Sequence, residues 1–109
     1  MNIFDDREKA FEAKYHHDEE AAFRVNARRD KLLGLWVAEK LVLVGGDAET
    51  YALSAVESDL SSPAHAGLLA KLQADLDQKQ VGISSDILHQ EFDRLLSVAK
   101  EQIRQETGV

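Results

Sequence analysis

Histidine and carboxylate side chains follow one another near the N-terminus, in the run His16-His17-Asp18-Glu19-Glu20. Imidazole nitrogens and carboxylate oxygens both bind divalent metals. On a helix, however, neighbouring side chains point about 100° apart, and only His16 and Glu20 share a face. The run is therefore interpreted as a solvated polar face, and no metal site is predicted. Because histidine titrates near neutral pH, His16 and His17 are candidates for a pH switch.

A second cluster is basic and precedes Trp36. Clustered cations can hold a phosphate or a nucleotide, but no glycine-rich phosphate loop accompanies them. Glu20 stands four residues before Arg24, the spacing of a helical ion pair, which gives one cation a structural partner. Trp36 lies in an apolar stripe and is predicted to belong to the core. The candidate anion or nucleotide patch consists of Arg24, Arg28, Arg29 and Lys31.

The sequence lacks the residue patterns of an enzyme. It contains no cysteine, which excludes a disulfide framework, a thiol catalyst and a cysteine zinc site. No Ser–His–Asp order, pair of buried carboxylates or cofactor motif stands out. Ser84 and Ser85 are interpreted as helix caps. We therefore predict neither catalytic residues nor a cofactor.

Length and charge narrow the class of protein further. The 109 residues suffice for one domain, and 13 basic against 20 acidic side chains give a net charge of −7. This charge argues against nucleic acid or anionic lipid as a partner. The N-terminus is charged from its fifth residue, unlike a signal peptide, and no apolar run is long enough to span a membrane. The expected location is the cytoplasm, without direct membrane insertion.

Apolar residues recur at helical spacing through residues 19–109 and predict four helices. The first should extend from about Glu20 to Val44 and end at Gly45 and Gly46, and Gly34 within it should mark a close helix contact. Three further helices follow, beginning near Asp47, at Ser62-Pro63 and at Ser84 or Ser85. Short connections between amphipathic helices imply an antiparallel four-helix bundle, so the predicted fold class is all-α.

Residues 1–18 differ from the rest of the chain and are predicted to form a mobile arm. Their large aromatic residues, Phe4, Phe11 and Tyr15, lie on one narrow helical stripe among charged residues. Burying three aromatic rings stabilises by at most about 5–9 kcal/mol. Fixing roughly fifteen residues costs more than that, so the arm should become ordered on a partner.

These residues resemble a known family. The segment FDDREKAFEAKYHHDEE, residues 4–20, followed by ARRDKLLGLWVAEKL, residues 27–41, resembles the alphaproteobacterial inhibitory zeta subunit of ATP synthase. The resemblance covers essentially the whole chain and is strongest over residues 4–41. The chain departs from the family pattern at His16, where a small residue is expected, and at Asp30, where asparagine is expected.

The resemblance implies a function and a partner. The arm would enter the catalytic interface of the soluble head of the F-type ATP synthase as a helix and block ATP hydrolysis, leaving synthesis largely free. The free protein would be a monomer, peripheral to the inner membrane through the synthase. The alternative is a docking or regulatory module of the same complex that does not inhibit, with weak nucleotide binding. The implied partner-binding residues are Phe4, Asp5, Asp6, Arg7, Glu8, Phe11, Lys14 and Tyr15.

Overall fold

The computed structural model describes the backbone of residues 3–107 and the side chains of residues 19–107. Within this part of the chain all regular secondary structure is helical, which confirms the predicted all-α class. No helix among the described residues is long and apolar enough to cross a membrane. The helices are α1 (Ile3–Lys40), α2 (Gly45–Leu60), α3 (Ala66–Gln78) and α4 (Ser85–Thr107), with a 3₁₀ turn at Pro63–His65 before α3.

The second half of α1 is the central helix, because the other three helices all pack against it. Helix α2 runs antiparallel to α1: Gly34 approaches Ala52, and Asp30, earlier in α1, lies near Asp59, later in α2. Helix α4 also runs antiparallel, since the late part of α4 lies beside the early part of the packed half. The buried core contains Leu33, Val37, Ala55, Leu68, Leu72, Leu76, Leu88 and Leu95.

The close helix contact predicted at Gly34 is confirmed. A Cβ atom on Gly34 would lie 2.8 Å from the Cα atom of Ala52 and 3.1 Å from the Cβ atom of Ala55. Both alanines are fully buried. Small residues on both helices therefore let the backbones of α1 and α2 approach closely, and this contact fixes α2 against the central helix.

The predicted end of the first helix is wrong by four residues. Helix α1 stops at Lys40, where the amides of Val42 and Leu43 bond back to the carbonyls of Glu39 and Ala38. This hydrogen-bond pattern is a Schellman motif, whose turn residue takes a left-handed conformation. Val42 occupies that position with φ 62°. The prediction failed because it assigned this stop to glycine.

The connection between α1 and α2 also differs from the prediction. Gly45 and Gly46 do not end α1 but begin α2, and Asp47 lies in the first turn of α2 rather than at its cap. Val44, predicted to end the first helix, is 76% exposed.

The corner between α2 and α3 contains a turn that the sequence analysis did not predict. Ser62-Pro63 starts a 3₁₀ turn, and α3 begins only at Ala66. Between them, Ala64 and His65 both have positive φ, 54° and 62°. The Ser62 hydroxyl accepts a hydrogen bond from the Gly67 amide at 2.8 Å, so Ser62 still caps the start of α3. Likewise, the Ser84 hydroxyl accepts from the Ile87 amide at the start of α4.

The predicted arm is continuous with the central helix along the backbone. Helix α1 begins at Ile3 rather than near Glu20, so no break separates residues 3–18 from the bundle helix. The predicted mobility of the arm depends on residues 1–18, whose side chains lie outside the described residues, and it stays a prediction.

Candidate functional site

The predicted partner-binding residues lie in the part of α1 whose side chains are not described. These are Phe4, Asp5, Asp6, Arg7, Glu8, Phe11, Lys14 and Tyr15. His16 and His17, the candidates for a pH switch, also lie outside the described side chains. Their interpretation continues to rest on the sequence.

A groove lies on the bundle where the arm joins it, between α1, α2 and α4. Its volume is about 530 Å³, and its floor is mostly apolar, with Phe23 and Leu53 exposed by 59% and 56%. A second hollow of about 260 Å³ lies beside it, between α1 and α4. Arg24 and Ile103 line both hollows. The two therefore form one continuous surface at the base of the arm.

Three of the four residues in the predicted basic patch line this groove. Arg24 is exposed there. Arg28 donates hydrogen bonds to Gln102 and Glu106 of α4, both at 2.9 Å, and Lys31 lies 3.7 Å from a Glu49 carboxylate oxygen. The groove thus combines an apolar floor with a cationic rim, and two of its cations already have acidic partners.

Arg29, the fourth member of the predicted patch, points to the opposite side of α1 and is only 3% exposed. Its Nε donates to Asp30 at 3.2 Å, and its terminal nitrogen lies 3.8 Å from an Asp59 oxygen. The guanidinium carbon sits 4.0 Å from the centroid of the Phe92 ring. Arg29 is therefore separate from the other three cations, and its side chain makes its contacts inside the protein.

These contacts belong to a polar cluster formed by α1, α2, the 3₁₀ turn and α4. The Asp59 carboxylate lies 2.8 and 2.9 Å from Nδ1 of His65, and the His65 ring packs at 5.2 Å on Phe92. Asp30 and Asp59 are hydrogen-bonded to each other. We call Arg29, Asp30, Asp59 and His65 the buried polar cluster.

The two carboxyl groups of the cluster have opposite protonation preferences. Burial, reinforced by the hydrogen bond and charge of Asp59, raises the pKa of Asp30 to about 8. Burial also acts on Asp59, but hydrogen bonds from Asp30 and His65 and the positive charges nearby outweigh it and lower the pKa of Asp59. Hence Asp30 carries the proton and Asp59 the charge at neutral pH.

The cluster has the spacing of metal ligands without the electrostatics of a metal site. One ligand atom each from Asp30, Asp59 and His65 lies within 4.8 Å of the others. The guanidinium of Arg29 already provides positive charge within 3.8 Å of both carboxyl groups. A divalent cation here would be repelled by Arg29, so the arrangement is an ion-pair network.

The sequence analysis missed this cluster. It assigned Arg29 to the candidate anion or nucleotide patch. The cluster residues span positions 29 to 65 with no regular spacing. The one available signal was helical phase, because Arg28 and Arg29 must point about 100° apart on α1.

The comparisons with known proteins agree with the fold and the resemblance. One solved structure, determined by NMR in solution, is 37% identical to this chain with a TM-score of 0.69, and the alignment covers 77% of this chain and 95% of the other. No curated protein matches the sequence significantly. The family model described as ATPase inhibitor subunit zeta matches residues 1–102, so the chain belongs to the ATPase inhibitor subunit zeta family.

Proposed function

We propose that this protein inhibits ATP hydrolysis by the F-type ATP synthase through its N-terminal arm. Residues 1–18 would insert as a helix at the catalytic interface of the soluble head, and the bundle of residues 19–109 would remain outside. In this role the protein is a binding partner of the synthase and not an enzyme.

The continuity of α1 is the observation that carries the proposal. The 38 residues from Ile3 to Lys40 form one helix, about 57 Å long at 1.5 Å per residue. The other helices pack against the part of α1 that follows residue 18, as α2 does at Gly34 and α4 at Arg28. Helices with a narrow apolar stripe dock into grooves of larger proteins, and aromatic anchors dominate such interfaces.

Membership in an inhibitor family also supports a role for the arm in inhibition. The family model begins at residue 1 and includes the whole arm. Within the arm, Phe4, Phe11 and Tyr15 would supply the apolar contacts, while Arg7 and Lys14 would pair with acidic groups of the head and fix the register.

A substitution in the full-length chain tests this role. Phe11→Ala should weaken inhibition of ATP hydrolysis by at least tenfold in inhibitory concentration, because aromatic anchors in interfaces contribute about 2 kcal/mol or more. The measurement is ATP hydrolysis by the cognate synthase against inhibitor concentration. Ile87→Ala, which truncates an exposed side chain at the start of α4, is the matched control. Equal inhibition by Phe11→Ala and the wild type would contradict insertion of the arm.

The groove at the base of the arm favours a second candidate function. Arg24, Arg28 and Lys31 line it beside the exposed ring of Phe23, which offers cations for phosphate and a flat surface for a base. A docking module of the synthase that binds nucleotide weakly, without inhibiting, would use this groove. Titration with ADP, followed by amide NMR shifts, tests it. Shifts confined to the groove and lost in Arg24→Ala would support it, and no shifts at millimolar ADP would reject it.

A further inference from the structure

The buried polar cluster has an unbalanced charge unless it holds one exchangeable proton. Two carboxyl groups, Asp30 and Asp59, face a single permanent cation, Arg29. If both carboxyl groups ionise while His65 is neutral, the cluster keeps one uncompensated negative charge. One proton, shared between the carboxyl groups or placed on His65, makes it neutral. Uncompensated charge away from water is costly, so the packed cluster retains that proton.

The cluster joins the α2–α3 corner to the central helix. Arg29 and Asp30 belong to α1, whereas Asp59 lies in the last turn of α2 and His65 lies in the corner. Helix α4 contributes only the aromatic ring of Phe92. Among the described side chains, residues 19–107, no further charged group forms a hydrogen bond or ion pair with these four. The proton balance of the corner thus depends on the cluster alone.

The backbone of the α2–α3 corner is strained, and contacts with the buried polar cluster must stabilise it. Ala64 and His65 are consecutive non-glycine residues with positive φ, and the left-handed conformation costs about 1–2 kcal/mol for each. Residues in such conformations persist only where surrounding contacts impose them. His65 is held by its hydrogen bonds to Asp59, by Arg29 Nη2 at 3.4 Å from its Nδ1 and by its packing on Phe92.

We propose that the buried polar cluster is a proton-linked latch, which holds the strained α2–α3 corner against α1 while it retains its proton and releases the corner when the proton is lost. Closed, the two carboxyl groups share the proton beside Arg29. Deprotonated, Asp30 and Asp59 repel each other across the α1–α2 contact, and the strain at Ala64 and His65 favours opening.

The direction of the pH dependence follows from Asp30. Its pKa is about 8 when the corner is closed and near the ordinary value of 3.8 when it is open. Between these values the closed state binds one more proton, so raising the pH favours opening. The ratio of closed to open corner should therefore fall by about tenfold from pH 6 to pH 7.

Amide hydrogen exchange of the full-length protein measures that ratio. The Gly67 amide, bonded to the Ser62 hydroxyl, reports on the corner once the intrinsic pH dependence of exchange is removed. Asp30→Asn keeps a donor for Asp59 but cannot ionise. In this variant the protection of the Gly67 amide should therefore fall much less than tenfold between pH 6 and pH 7. Asp93→Asn removes an exposed carboxylate of α4 and should behave as the wild type.

A second measurement needs no substitution. The carboxyl carbon shift of Asp30 in the labelled wild-type protein should titrate near pH 8. The proposal is overturned if Asp30 titrates in the ordinary range of an aspartate. It is also overturned if the protection of Gly67 shows the same pH dependence in Asp30→Asn as in Asp93→Asn.

Discussion

Two faces of one short stretch of α1 use the same residue types in opposite ways. Arg28 faces the groove and pairs with Glu106 at the surface, with 26% and 53% of the two side chains exposed. Arg29, the next residue, is buried against Asp30 and Asp59. Adjacent arginines thus serve a solvent-accessible surface and an internal network. The difference shows that helical phase, rather than basic character, decides what each cation does.

The two faces should differ most when their arginines are removed. Arg29→Met deletes the cation but keeps a long apolar side chain, and it leaves the charged Asp59 carboxylate without its buried arginine. Breaking a buried ion pair in this way costs about 3–5 kcal/mol. Arg28→Met removes an exposed pair and should cost about 0–1 kcal/mol. Urea unfolding at pH 7 measures both.

The same pair of variants has a pH signature. The cost of Arg29→Met should shrink at acidic pH, where protonation of Asp59 removes the unpaired charge. If Arg29→Met and Arg28→Met destabilise equally at pH 7, the assignment of the two arginines to different environments is wrong.

The buried face of α1 also depends on the absence of a side chain. Gly34→Ala would place a Cβ atom 2.8 Å from the Ala52 backbone, which must then move. Overpacking of this kind costs about 1–3 kcal/mol. Gly46→Ala is the matched control, since its Cβ atom would meet nothing within 4 Å. Thermal unfolding by circular dichroism should show a lower midpoint for Gly34→Ala alone.

Relief of backbone strain at the exposed end of α1 should raise the stability of the protein, whereas Gly34→Ala lowers it. Val42 takes a left-handed conformation while 82% exposed, so little packing compensates the strain. Val42→Gly should stabilise the protein by about 0.5–1 kcal/mol, because removal of the strain outweighs the extra entropy of glycine in the unfolded chain. Gln80→Gly, at the equivalent position after α3, should gain less, since Gln80 is not β-branched. A loss of stability in Val42→Gly would show that Val42 makes a contact worth its strain.

The sequence predicted the features that depend on local pattern and failed where tertiary contacts decide. The helices of residues 19–107 followed from apolar spacing, and the close approach at Gly34 followed from a glycine inside a predicted helix; both are observed. The end of α1 could not be predicted because a valine adopts a conformation that favours glycine. The partners of Asp30 could not be predicted either, since they come from α2 and the corner. Those contacts arise only when the helices pack.

The smallest expected effect is the influence of salt on the stability cost of substitutions on the two faces. Lys31 and Glu49 lie 3.7 Å apart with 42% and 58% of their side chains exposed, so Lys31→Gln should change stability by about 0.5 kcal/mol or less. Even that difference should vanish in 1 M NaCl, where the screening length falls to about 3 Å. The cost of Arg29→Met should persist in the same buffer, because the side chains of Arg29, Asp30 and Asp59 are exposed by only 3%, 4% and 8%. Urea unfolding of both variants at about 0.05 and 1 M NaCl makes the comparison. A cost of Arg29→Met that disappears with salt would mean that water and ions reach the cluster, and the closed latch would then be wrong together with the contrast between the two faces.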